Sequence, residues 1–226
     1  MKSFAITLLA GLTAASPIIV TESAAIKLQA RQLSTTSTEL EDGSSSACPK
    51  AILIFARGST EDGNLGPLGV SLGNALESNY GAANIWVQGV GGPYDATLAD
   101  NLLSRGTSAA AIAEGVRLLN LANSKCPNSK TVTGGYSQGS ALIAAALTDV
   151  TAAVRNQAIG TVLFGYTQNK QNDGGIPNYP SDRLKVFCAD GDLVCDGTLL
   201  ITSAHFSYDD DAANAGPAFL ESKIGA

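Results

Sequence analysis

The chain has 226 residues, 45% hydrophobic and only 15% charged, a composition that fills a single domain and excludes wholesale disorder. Beyond residue 31 it carries 11 basic and 19 acidic side chains, net −8, with no basic cluster, which sets aside nucleic acid and anionic lipid as partners. No apolar run past the N-terminus approaches the roughly 20 residues that span a bilayer, so an integral membrane protein is excluded too.

In chain order, residues 1–16 read as a secretory signal: Lys2 supplies the positive start, Phe4 to Leu12 the apolar run, and Thr13 to Ser16 a small-residue stretch. Residues 17–31 read as a pro-segment ending at Arg31, and the polar, Ser/Thr-rich stretch 32–47 as a mobile lead-in. The expected location is therefore extracellular. Residues 48–226 form the expected single catalytic domain.

Within that domain short apolar runs rich in β-branched and aromatic residues predict strands over Ala51–Ala56, Asn84–Val90, Thr131–Gly134, Gly160–Gly165 and Leu184–Ala189. Helices are predicted over Ser108–Asn123, where Ile112, Val116 and Leu119 share one face, over Ser140–Val150, and over Pro217–Lys223. Strands alternating with helices imply βαβ units, hence an α/β fold with a mostly parallel sheet of about five strands and helices on both faces. Neither nucleotide fingerprint is present: "GVGGPY" has Tyr94 where a third glycine belongs, and Gly63–Gly69 lacks the Gly-Lys-Ser/Thr ending.

Gly135-Tyr136-Ser137-Gln138-Gly139 fits the G-x-S-x-G nucleophile elbow and sits where that motif must sit, between a predicted strand and a predicted helix. Glycines two residues either side let strand and helix pass closely while the serine takes a strained conformation. A serine needs a base, and His205 is the only histidine. It lies beyond the last predicted strand, completing the chain order Ser…Asp…His. The orienting acid comes from Asp190, Asp192 or Asp196. Asp192 is modestly preferred because a Cys188–Cys195 disulfide would enclose it, whereas the other two also suit turns or caps.

Four cysteines in a secreted chain predict two disulfides, with three possible pairings; the short Cys188–Cys195 span is the natural local pair, leaving Cys48 for Cys126. Without a CxxC motif or a second histidine, no metal site is expected. Asp209–Asp211 reads as a solvated turn.

The stretches "FARGSTEDGNLG" (Phe55–Gly66), "VQGVGGPYDATLADN" (Val87–Asn101), "RGTSAAAI" (Arg105–Ile112), "GGYSQGSAL" (Gly134–Leu142) and "CADGDLVCDG" (Cys188–Gly197), with His205, resemble the fungal cutinase family. The resemblance implies a small, lidless α/β hydrolase with Ser137 as nucleophile, Asp192 as orienting acid and His205 as base. It implies an oxyanion hole from Ser59 and Gln138, with Asn101 supporting the Ser59 side chain, and supports the same two disulfides. The implied substrate rim is Thr60, Leu98, Tyr136, Leu199, Ile201 and Phe206. The expected activity is hydrolysis of cutin and other hydrophobic esters by a monomer without cofactor. Acetylxylan esterase is the rival within enzymes, and a non-catalytic plant-surface adhesin or cell-death elicitor the rival outside them.

Overall fold

Every residue of the run Ala51–Ala56 is buried, and its side chains alternate between two cores. Ile52, Ile54 and Ala56 enter one cluster, while Ala51, Leu53 and Phe55 enter the other. A strand buried on both faces needs helices on both faces. The computed structural model, which describes residues 32–226, has that arrangement.

Five parallel strands run β1 (Ala51–Ala56), β2 (Ile85–Gly89), β3 (Lys130–Tyr136), β4 (Ala158–Phe164) and β5 (Leu184–Phe187), in the spatial order β2-β1-β3-β4-β5. The helices are α1 (Glu39–Asp42), α2 (Gly66–Tyr80), α3 (Ala109–Lys125), α4 (Gln138–Asp149), α5 (Ala152–Gln157) and α6 (Gly216–Ile224). Residues of α3, α4 and α5 pack in the first core, and those of α2 and α6 in the second. β3 is the middle strand, so the turn at its C-terminal end stands at the centre of the sheet's carboxyl edge.

Three features depart from the sequence reading. Helix α2 was not anticipated, because Gly66, Gly69 and Gly73 depress helix propensity. Those glycines serve packing: a Cβ on Gly69 would lie 2.6 Å from Phe55 Cδ1, and one on Gly73 2.6 Å from Leu33 Cδ1. Asp209 and Asp210 face solvent as expected, but Asp209–Asp211 are helical instead of a turn and lead into a π-helical turn, Asp211–Ala215, that runs directly into α6.

The third concerns residues 32–47, which pack against the domain instead of forming a mobile lead-in. Thr38 pairs antiparallel with Gln88 on β2, an edge strand whose open polar groups need partners. Ser37 O accepts from Gly89 N at 2.9 Å, and Glu39 Oε2 accepts from Val87 N at 2.7 Å. Leu40 is fully buried, and Lys125 Nζ donates to the carbonyls of Leu40, Glu41 and Gly43 at 2.7, 2.9 and 3.0 Å. The expected signal and pro-segment, residues 1–31, lie outside the described residues. Among the described residues no helix is long and apolar enough to cross a membrane.

Candidate active site

At the end of β3 the chain turns sharply into α4, and Ser137 occupies the corner with φ 51° and ψ −119°. A non-glycine residue there costs roughly 1–3 kcal/mol, which the surroundings must offset. The flanking glycines explain how the corner closes: a Cβ on Gly139 would sit 2.1 Å from Ala56 O, and one on Gly135 2.5 Å from Gly139 O. Ser137 N donates to Phe164 O at 2.9 Å, tying the corner to β4.

His205 arrives on a 3₁₀ turn, Ser203–Phe206, with its ring 2% exposed. Its Nε2 lies 2.9 Å from Ser137 Oγ and its Nδ1 2.9 Å from Asp192 Oδ2. Gly165, just after β4, makes this possible. A Cβ there would be 2.7 Å from His205 Cε1 and 3.1 Å from Asp192 Oδ2. The Asp192 side chain is fully buried, and its Oδ1 accepts from Val194 N at 3.0 Å. Cys188 and Cys195 are joined across this loop, and Cys48 is joined to Cys126. Asp190 and Asp196 are exposed to solvent.

The second wall comes from the turn after β1. Ser59 Oγ receives Asn101 Nδ2 at 2.9 Å and Gln138 Nε2 at 3.2 Å; the latter group also donates to Thr97 O at 2.6 Å. Gln138 is fully buried at the first position of α4, so Ser59 and Gln138 are held side by side at the helix's N-terminus, beside Ser137. Free N–H groups and the helix dipole favour negative charge at such a place. Thr60, at φ 64°, is fixed by a bond from its N–H to Ala96 O at 2.9 Å.

These groups open onto a cavity of about 700 Å³ whose lining includes Thr60, Leu98, Tyr136, Leu199, Ile201 and Phe206. The seven exposed large apolar side chains of the described residues all belong to the segments 98–103 and 199–206 flanking it; Leu98 is 58% and Phe206 67% exposed. Clustered exposure of this kind marks a surface that meets something apolar. Tyr136 differs from the other rim positions. It is buried, its ring centroid is 5.2 Å from that of His205, and its hydroxyl donates to His205 O at 2.7 Å.

Glu61, Ala99, Leu102, Thr167 and Val194 also line the cavity, with Tyr208 beneath it, and no sequence motif singles them out. Leu102, 78% exposed beside Leu98, carried an apolar signal that could have found it. Glu61 closes the turn after β1: its Oε2 accepts from Gly58 N at 2.7 Å, while Arg57 Nε donates to its backbone oxygen at 2.8 Å. Burial pushes the Glu61 carboxyl above the ordinary range and Asp209 adds to this, against the opposing pull of the Gly58 N–H and Arg57.

A folded value above the unfolded one means that this group favours folding most in acid and loses that contribution as pH rises through the raised value. Glu61→Gln keeps an acceptor for Gly58 N–H and removes the half-buried charge. The variant is expected to melt at a higher temperature than the parent near pH 8, the gap closing below about pH 4, where glutamates protonate even in the unfolded chain. Thermal melts across that range check it, and a variant less stable near pH 8 contradicts it.

The family model described as "Cutinase" matches residues 47–224. A cutinase of Didymella rabiei is 57% identical over 228 residues, covering 100% of both chains. The solved Trichoderma reesei cutinase in complex with a C11Y4 phosphonate inhibitor superposes with a TM-score of 0.69 at 30% identity, covering 85% of this chain and 81% of that one. The catalytic core of acetyl xylan esterase from Trichoderma reesei, at 18% identity and a TM-score of 0.64 over 78% of this chain and 99% of that one, shares the fold alone. With the family match spanning residues 47–224 and the identity extending over the full length, the chain belongs to the cutinase family, carboxylic ester hydrolases of the α/β-hydrolase fold.

Proposed function

We propose that this protein is a secreted, monomeric serine esterase that hydrolyses hydrophobic esters, the plant polyester cutin foremost, through an acyl-enzyme on Ser137. The observation that carries the reading is a hydrogen-bonded line, Ser137 Oγ to His205 Nε2 and His205 Nδ1 to Asp192 Oδ2, that ends in an apolar-rimmed cavity. His205 takes the serine proton as Oγ attacks the ester carbonyl, and Asp192 holds the imidazole in the tautomer that leaves Nε2 unprotonated. The oxyanion is received by the N–H groups of Ser59 and Gln138. The imidazolium then protonates the leaving alcohol, and water repeats the two steps in reverse roles.

The rim supports a hydrophobic polymer over a polysaccharide. Leu98, Leu102, Leu199, Leu200, Ile201 and Phe206 offer apolar surface, whereas a sugar chain is bound through polar groups. Rates on p-nitrophenyl esters of increasing acyl length, beside monomer release from cutin and acetate release from acetylated xylan, test it. The expected result is turnover of short- to medium-chain esters and release of cutin monomers. Preferential deacetylation of xylan would overturn the substrate assignment, and absence of any ester turnover the reaction itself.

A further inference from the structure

Asp192 Oδ2 carries two partners: His205 Nδ1 and the hydroxyl of Tyr208. The direction of the second bond is fixed by bookkeeping of protons. The Tyr208 oxygen lies 3.1 Å from Ala189 N, and an N–H only donates. The Tyr208 oxygen therefore accepts from Ala189, and its own proton points to Asp192. The ring has no freedom to leave. It is 1% exposed and stands among Phe164, Tyr136 and His205, with the His205 ring edge-on at 89° and 6.5 Å between centroids.

We infer that Tyr208 is a positioning residue for the ester-hydrolysis reaction: by sharing Asp192 Oδ2 with the imidazole, it draws carboxylate charge away from His205 and sets how readily that ring accepts a proton. The inference rests on the reading of Ser137, His205 and Asp192 as the reacting line. A carboxylate oxygen that serves two donors is a weaker partner to each than one that serves a single donor. Burial, then the bond to Asp192, pushes the Tyr208 hydroxyl far above its ordinary value, so it stays a neutral donor throughout the working range. The other titratable groups around the imidazole are Tyr136 from β3, Glu61 from the turn after β1, and Asp209 at the start of the last helical run. The Tyr208 hydroxyl is hydrogen-bonded to Asp192 and Ala189 N and to none of these three groups.

The single histidine makes the test unambiguous, because imidazole resonances of labelled protein come from His205 alone. In Tyr208→Phe the full charge of Oδ2 faces the imidazole. The ring is expected to protonate at a pH higher than in the parent by roughly 0.5–1 pH unit, with the acid limb of kcat/KM moving in the same direction. Installing 3,5-difluorotyrosine at position 208, a stronger donor of nearly the same shape, is expected to move both the other way, and it keeps the test alive should the phenylalanine variant fold poorly. An imidazole titration unmoved by both replacements, or shifted down in Tyr208→Phe, overturns the inference and leaves Tyr208 a packing residue. The titration is read in the resting protein, so its outcome is independent of whether any ester is turned over.

Discussion

Ser137→Ala is expected to leave a folded protein whose kcat on a soluble ester is down by about 10⁶-fold, the scale on which loss of a serine nucleophile has been seen to act. The hydroxyl makes its one side-chain bond to His205 Nε2 and fills little volume, so removing it opens no cavity of consequence. The backbone strain at φ 51° is shared by serine and alanine, so the melting temperature stays within a few degrees of the parent's. Ser137→Gly is equally inactive, but glycine is at ease in that conformation, and relative to the alanine variant it gains about 1 kcal/mol. The pair separates two roles of one position: the side chain is chemical, and the strain is what the flanking glycines were placed to permit. Turnover measured by burst kinetics and thermal melts on both variants check this. Near-normal turnover in either would remove Ser137 from the reaction. An organophosphonate label should map to the peptide that carries it in the parent and vanish in both variants.

How much of this molecule is legible in its sequence depends on the range of the interactions involved. Strand β1 is legible to the residue because six consecutive apolar side chains sit between two turns. Strand β3 reads short, ending at Gly134, since glycine punctuates most strands, yet here Gly134 and Gly135 lie inside the ladder so that Phe55 and α4 can approach. Helix α2 is hidden for the same reason. The packing of residues 32–47 is unreadable for another: Ser37, Glu39 and Leu40 are held by partners 27 to 85 positions away, and local polarity says nothing about such partners. At the site, the serine and histidine announce themselves through a motif and through scarcity. Tyr208 and Glu61 do not. A buried tyrosine three residues after the histidine resembles any core aromatic, and only the coordinates show its proton aimed at Asp192. Glu61 looks like a surface acid in "GSTEDG" until Gly58 N–H is seen to close on it. Motifs expose the groups that react, while the groups that hold them are specified by geometry across the fold.

The three aspartates after β5 provide the second large expected effect. Asp192→Asn is expected to lower kcat by about 10⁴-fold, whereas Asp190→Asn and Asp196→Asn change it less than about threefold. The difference lies in what each carboxylate faces. Asp190 and Asp196 are solvent-exposed, and their charge is screened. Asp192 is fully buried with three donors converging on it: Val194 N–H on Oδ1, and His205 Nδ1 with the Tyr208 hydroxyl on Oδ2. An asparagine has one acceptor oxygen and one donor nitrogen to offer in the same place. If its NH₂ faces Oδ2's partners, it meets Nδ1 and forces the imidazole into the other tautomer, with the proton on Nε2 and no base left for Ser137. If its NH₂ faces Val194 N–H instead, two donors oppose each other in a sealed loop and the imidazolium still lacks its counter-charge. Both arrangements disable the base, and the Cys188–Cys195 bridge around the loop limits any rearrangement that would relieve them. Values of kcat/KM for the three variants on p-nitrophenyl butyrate, at a pH where the parent is on its plateau, decide the assignment. Should Asp190→Asn prove the severe substitution of the three, the line from Ser137 through His205 would have to end on a different carboxylate, and with it the role given to Tyr208 would fall.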